Sequence, residues 1–279
     1  MPTVEHLRFL LDSQCGLEVQ RLMRVVQAPS LKSLSVMFPR IVKDDPLDYK
    51  SEEIIPAQFS ELSISRHRGS PEAIATLLSW PSKLVSARIS FDSSRYQHVD
   101  WPACRSMLLK HRQTLKNLEM EFFPPSGRKA TCTLSDFTAL ESLSVSRCLL
   151  KRKLEPDDPV SDLILSPPEL KSFTWKFASG NQTDDFRDIE EQWLRSLARL
   201  VLARESKLRK IHIEFRPMDG FHRNGEYPWD RMSRLKAEFE PMGIVFTYSD
   251  PRVSREEWEA YGYSSDEETS NDGEDWDWS

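Results

Sequence analysis

LKSLSV at residues 31–36 and LESLSV at residues 140–145 are nearly the same hexapeptide in distant parts of the chain. Both have an apolar residue, two of any kind, a second apolar residue, one of any kind, then a third apolar, aromatic or β-branched residue. The pattern also occurs as VEHLRF from Val4, FSELSI from Phe59, LVSARI from Leu84 and LKNLEM from Leu115, and again as LKSFTW from Leu170 and LRKIHI from Leu208. A last alternating stretch, GIVFTY, starts at Gly243. Successive starts of the eight copies lie 27, 28, 25, 31, 25, 30 and 38 residues apart. Chance supplies one such hexapeptide in a Leu-rich chain. Eight at near-regular spacing mark an internal repeat.

One unit has a simple physical reading. Its last two apolar positions alternate with polar ones and therefore share one face of a short strand. The first apolar residue sits at the mouth of the strand and points to the same interior. A single strand cannot bury that face, but parallel neighbours stacked beside it make a continuous core. Parallel neighbours need crossovers, usually helical. The expected fold is α/β: an irregular solenoid over residues 1–252, with a parallel concave sheet and helices or loops on the convex side.

The spacers supply the crossovers. Leu17 to Gln27 carries Leu22, Val25 and Val26 near helical spacing before Pro29. Ser70-Pro71-Glu72 is a helix start, with Ser as N-cap and Pro at the first position, and that helix should run to Pro81. Asp100 can cap a helix from Trp101 to about Thr114. Asp184 or Asp185 can cap the longest, Phe186 to about Glu205, with Phe186, Ile189, Trp193, Leu197 and Leu200 on its apolar stripe. Trp229, Met232, Leu235 and Phe239 form another stripe, and Gly243 can stop it. Stretches 39–58, 123–139 and 149–169 are rich in Pro and charge and read as loops with short helical turns at most.

Composition narrows the function. The chain has 279 residues, 39% apolar and 29% charged, enough to build a core. No apolar run approaches the roughly 20 residues of a membrane helix, and the N-terminus shows no secretory signal. The net charge of -6 is uneven. Residues 254–279 hold ten Asp/Glu and one basic residue, Arg255, for 1 - 10 = -9, which leaves +3 on the other 253 residues. A near-neutral body is a poor match for nucleic acid. Cys15, Cys104, Cys132 and Cys148 form no CxxC pair, so four thiols in a reducing compartment, cytoplasm or nucleus, are expected. There is no phosphate-binding Gly-rich loop, nucleophile elbow or HExxH helix. No catalytic, metal or cofactor residue is assigned, and no cofactor is expected.

With its Pro-interrupted spacers and the closing FEPMGIVFTYSD, the strand pattern resembles fungal leucine-rich-repeat proteins of the F-box type over about residues 1–252. Leu140-Leu143-Val145-Cys148 matches the fuller L-x-x-L-x-L-x-x-C form, whereas the same offset is Pro39 in the second unit and Phe123 in the fifth. The resemblance implies substrate recognition in an SCF-type ubiquitin ligase, docked through a Skp-type adaptor. The LPxEI-like run that typically opens an F-box is not found here. A truncated family member and a stand-alone repeat protein both remain open.

The expected function is a non-catalytic protein–protein interaction module. Strand residues between the apolar positions should line the concave face, from His6 and Arg8 to Lys210 and His212, with Met37, Ser65, Ser90, Glu121, Ser146, Lys176 and Glu214 next along the strands. Arg8 and Arg88 are the candidate anchors, since Arg is favoured at hot spots. Phe221 and Tyr227 in the loop 216–229 are candidates of a second kind. The acidic tail, 253–279, should be disordered, and its Trp276 and Trp278 between aspartates suit a linear motif for a basic, partly apolar partner. That motif defines the alternative function, a scaffold or regulator working through its tail. An enzyme ranks third. The expected state is a monomer with protein partners, no nucleic acid and no membrane.

Overall fold

The computed structural model describes residues 4–10, 22–23, 26, 29–37, 55–67, 71–91, 101–121, 133–147, 160–177, 186–217 and 226–262. All nine alternating stretches are strands: β1 (His6–Leu10), β2 (Ser33–Met37), β3 (Glu61–His67), β4 (Ser86–Phe91), β5 (Asn117–Glu121), β6 (Ser142–Ser146), β7 (Ser172–Lys176), β8 (Lys210–Glu214) and β9 (Val245–Tyr248). They form one sheet in sequence order, and every neighbouring pair is parallel. The fold is thus α/β around a single all-parallel sheet.

The repeat pattern sets the register. Its second apolar position forms one row across the sheet, Leu7, Leu34, Leu62, Ala87, Leu118, Leu143, Phe173, Ile211 and Phe246. Its third forms the next, from Phe9 and Val36 through Met120 and Trp175 to Tyr248. From Leu34 to Ile213 both rows are buried. A backbone device repeats with them. At each strand mouth one carbonyl of the preceding strand accepts two consecutive N–H groups: Glu5 from Lys32 and Ser33 (2.7 and 3.1 Å), Lys32 from Ser60 and Glu61 (3.0 and 3.2 Å), and so on to Lys171 from Arg209 and Lys210 (3.0 and 3.1 Å). A one-residue slip would break these shared bonds and turn every apolar side chain outward. The last joint differs. Gly243 has φ 72°, which glycine adopts without penalty, and the Ile244 N–H bonds back to the Phe239 carbonyl at 3.2 Å, leaving the Val245 N–H alone on Arg209.

The described crossover helices are α1 (Pro71–Ser79), α2 (Trp101–Leu108), α3 (Val160–Leu165), α4 (Asp188–Ala203) and α5 (Pro228–Phe239). Leu22 and Met23 are helical and buried, and the rest of the helix expected at 17–27 lies mostly outside the described residues, as do caps Ser70 and Asp100. The helix expected to reach Thr114 changes character earlier, with α2 tightening into a 3-10 turn at Leu109–His111. His111 is the reason. Buried in the core, it accepts from the Leu84 N–H (3.3 Å) and meets the Leu78 carbonyl through Nε2 (2.8 Å), tying α1 to the mouth of β4.

The longest helix needs correction at its start and on its face. It begins at Asp188 with Arg187 as N-cap, two residues later than expected, because the Glu190 carboxylate accepts the Arg187 N–H at 2.9 Å. Phe186 is buried just ahead of it. The buried stripe runs through Trp193, Leu194, Leu197, Ala198 and Val201, with Ile189 and Leu200 at its margins. The acidic N-terminal turn can face inward because Arg147 pairs with Glu190 in the interior, at 2.7 Å with side chains 7% and 3% exposed.

The stripe of α5 is buried as expected. The reading of the tail needs correction where it begins. Arg255–Gly262 is a helix, α6, and Trp258 on it is 2% exposed. Ser254 and Glu257 close a reciprocal cap: the Glu257 N–H donates to the Ser254 hydroxyl (3.1 Å) and the Ser254 N–H to the Glu257 carboxylate (2.7 Å). Charge density hid this helix from a composition argument. Residues 263–279 lie outside the described residues.

Candidate functional site: the polar face of the sheet

The alternation that buries one row of side chains sends the next to the opposite face of the sheet. That face carries His6, Ser33, Glu61, Ser86, Asn117, Ser142, Ser172 and Lys210 in one register row. The following row carries Arg8, Ser35, Ser63, Arg88, Glu119, Ser144, Thr174 and His212. Hydroxyls predominate, with charges of both signs between them.

A cross-strand ion network occupies its centre. Arg88 on β4 meets Glu119 at 3.3 Å and Glu121 at 3.4 Å on β5. Lys176 on β7 reaches back over β6 to the same two carboxylates, at 2.8 Å for Glu121, and lies 3.5 Å from Glu214 on β8. Arg216 closes the line on Glu214 at 2.8 Å. Only small side chains on β6 let the lysine cross. Ser146 is 2% exposed and the Ser144 hydroxyl is shut away without a hydrogen-bond partner. This corrects the expectation that Ser146 and Ser90 are open groove residues, since both are buried.

Burial alone would lower the Lys176 pKa, but its hydrogen bonds and charge contacts with Glu119 and Glu121 outweigh that and hold it above the usual lysine value. Burial likewise pushes the Glu121 carboxyl up, and Lys176 with Arg88 more than reverses it, so Glu121 stays ionised below the usual range. At the ends of the sheet, histidines bond hydroxyls: His6 Nδ1 to Ser33 at 2.6 Å and His212 Nδ1 to Thr247 at 2.9 Å. Burial lowers the His212 pKa and favours its neutral ring.

The candidate anchors are separated by this geometry. Arg8 is exposed on β1. Arg88 is 49% exposed on β4 and already engaged by the two glutamates. Tyr227 is spent inside the chain: its hydroxyl donates to the Val253 carbonyl (2.8 Å), and its ring lies between Trp229 (5.0 Å) and Trp258 (6.2 Å) with Arg255 over it (5.3 Å). It clamps α6 and leaves no free aromatic anchor at that position. Phe221, Trp276 and Trp278 lie outside the described residues. Glu119, Glu121, Lys176, Glu214 and Arg216 were not among the candidate anchors. Their signal was legible as E-x-E on one strand and a lysine two strands on, with S-x-S between.

Elsewhere among the described residues, a cavity of about 330 Å³ opens beside Val26, Leu31, Ile55, Phe59 and Trp80. No helix there is long and apolar enough to cross a membrane. Compared with known proteins, the chain matches no family model and no curated protein.

Proposed function

We propose that the chain is a leucine-rich-repeat-like solenoid and a non-catalytic protein–protein interaction module, with the polar face of the sheet as its binding surface. The observation that supports this best is the in-register face itself. Eight consecutive strands, β1 to β8, hold polar side chains in fixed rows, and the Lys176 network holds charges there before any partner arrives. Prearranged groups lose less freedom on binding, which favours recognition. In the version that the F-box resemblance implies, the partner is a substrate of an SCF-type ubiquitin ligase, and a Skp-type adaptor links the chain to the cullin.

The experiment is affinity capture of the tagged full chain from its own cells, with quantitative mass spectrometry. Adaptor and cullin in the eluate support the ligase version. Other partners without them leave the interaction module and remove the ligase. A second reading, a regulator acting through its acidic Trp-containing tail, rests on the seven carboxylates and two tryptophans in 263–279. It predicts that partners are lost when Trp276 and Trp278 are replaced by Ala.

A further inference from the structure

The charges of the polar face come close to cancelling, but they differ in exposure. Arg88 and Arg216 at the ends of the ion network are 49% and 48% exposed. The carboxylates between them, Glu119, Glu121 and Glu214, are 25%, 16% and 20% exposed. Arg8 and Lys210, also on this face, are exposed, whereas Glu61 is its only exposed carboxylate among the described strand residues. Lys176, 12% exposed, screens the carboxylates from within, while Arg8, Arg88, Lys210 and Arg216 face solvent. Something approaching this face meets positive charge first, more than the small excess of cations in a residue count suggests.

The chain carries a segment of matching chemistry. Residues 263–279 hold seven Asp/Glu and no Lys or Arg, a charge of -7. The segment starts directly after α6, which is fixed to the β9 end of the molecule by Trp258, by Arg255 on Asp230 (2.5 Å) and by Tyr227 on Val253. Seventeen residues can span roughly 55 Å when extended. From β9 to β4 is five strand spacings, roughly 24 Å. The segment is long enough to pass around the edge of the sheet and lie across the strands to Arg88. Its tether keeps its effective concentration near the millimolar range, so weak contacts suffice.

We propose that the acidic segment 263–279 docks across the polar face between β8 and β4, on Lys210, Arg216 and Arg88. This rests on the reading of that face as a binding surface and deepens it: a partner must displace the segment, and an extended acidic stretch is the chemistry that can.

The test is zero-length carbodiimide coupling of the purified full chain at low micromolar concentration and low salt, with mass spectrometry of the monomer band. The expected product joins the Lys210 amine to a carboxylate in 266–277. Its yield should fall at least tenfold in 0.5 M sodium chloride, and as far in the Arg88→Glu/Arg216→Glu variant. The milder Arg216→Gln should lower it in part, and thermal unfolding identical to the parent certifies the fold of each. Coupling that joins the segment only to lysines off this face overturns the proposal. So does coupling confined to a dimer band, which makes a second copy the occupant, and so does a yield indifferent to salt and to both variants. If any of these is found while arginine substitutions on the face still abolish partner capture, the docking fails and the binding-surface reading stands.

Discussion

The edge strand β1 and the interior strands β7 and β8 share a sequence pattern but differ in how well it is covered. At β1 the apolar positions Leu7 and Phe9 are half-buried and Val4 is 50% exposed. At β7 and β8, Phe173, Trp175, Ile211 and Ile213 are fully buried, and the Trp175 ring packs at a tilt 4.8 Å from Trp193 on the 16-residue α4. The aromatic contacts continue through Phe177, Phe215 and Trp229 to Tyr227 and Trp258. The strand hexapeptide decides that a strand joins the sheet and in what register. The crossover behind it decides how much stability that strand holds.

Trp193→Ala should weaken the covered strands most, costing about 5 kcal/mol, whereas Phe9→Ala at β1 should cost about 1–2 kcal/mol because its side chain is only partly buried. Denaturant unfolding of the two variants measures the contrast directly, and equal losses would erase it. Arg147→Ala comes next, at about 3 kcal/mol, because it strands Glu190 in the interior without its ion pair. Replacing both partners with apolar residues should recover most of that loss.

His111→Ala sits midway along the sheet and should cost about 2 kcal/mol for two buried hydrogen bonds and the volume removed. It also carries a pH signature. Burial lowers the His111 pKa in the folded chain. Below about pH 6.5 the unfolded chain therefore binds a proton that the folded chain resists, and stability falls as pH drops through that value. The slope levels off once the folded form is protonated as well. Unfolding curves between pH 8 and 5 should show the parent losing this increment and His111→Ala lacking it. The smallest effect is Ser254→Ala, about 1 kcal/mol on the α6 cap. It should raise amide hydrogen exchange in 255–262 and leave β1 to β6 unchanged.

All nine strands and their order could be read from the hexapeptides, because period-two alternation and shared register are local properties of the sequence. The crossovers were less legible. The apolar face of α4 was legible at Trp193 and Leu197, but Glu190 and Glu191 look solvent-bound until Arg147, Arg195 and Arg231 are seen to meet them. Helix α6 was missed although Ser254-x-x-Glu257 announces its cap, since a run of acidic residues dominated the reading. At the candidate site, the rows of the polar face were legible and the ion network was not. Its Lys176–Glu119 contact joins residues from strands that are not adjacent, and small serines between them read as open surface.

The polar face is the surface proposed to bind partners. The direct measurement is quantitative partner capture by the parent chain, by Ser63→Arg and Ser142→Arg on that face, and by Gln192→Arg on α4, each with its thermal unfolding recorded. At parental stability, the two face variants should lose the captured partners at least tenfold and Gln192→Arg should keep them. Undiminished capture by both face variants, or loss only with Gln192→Arg, would contradict the account.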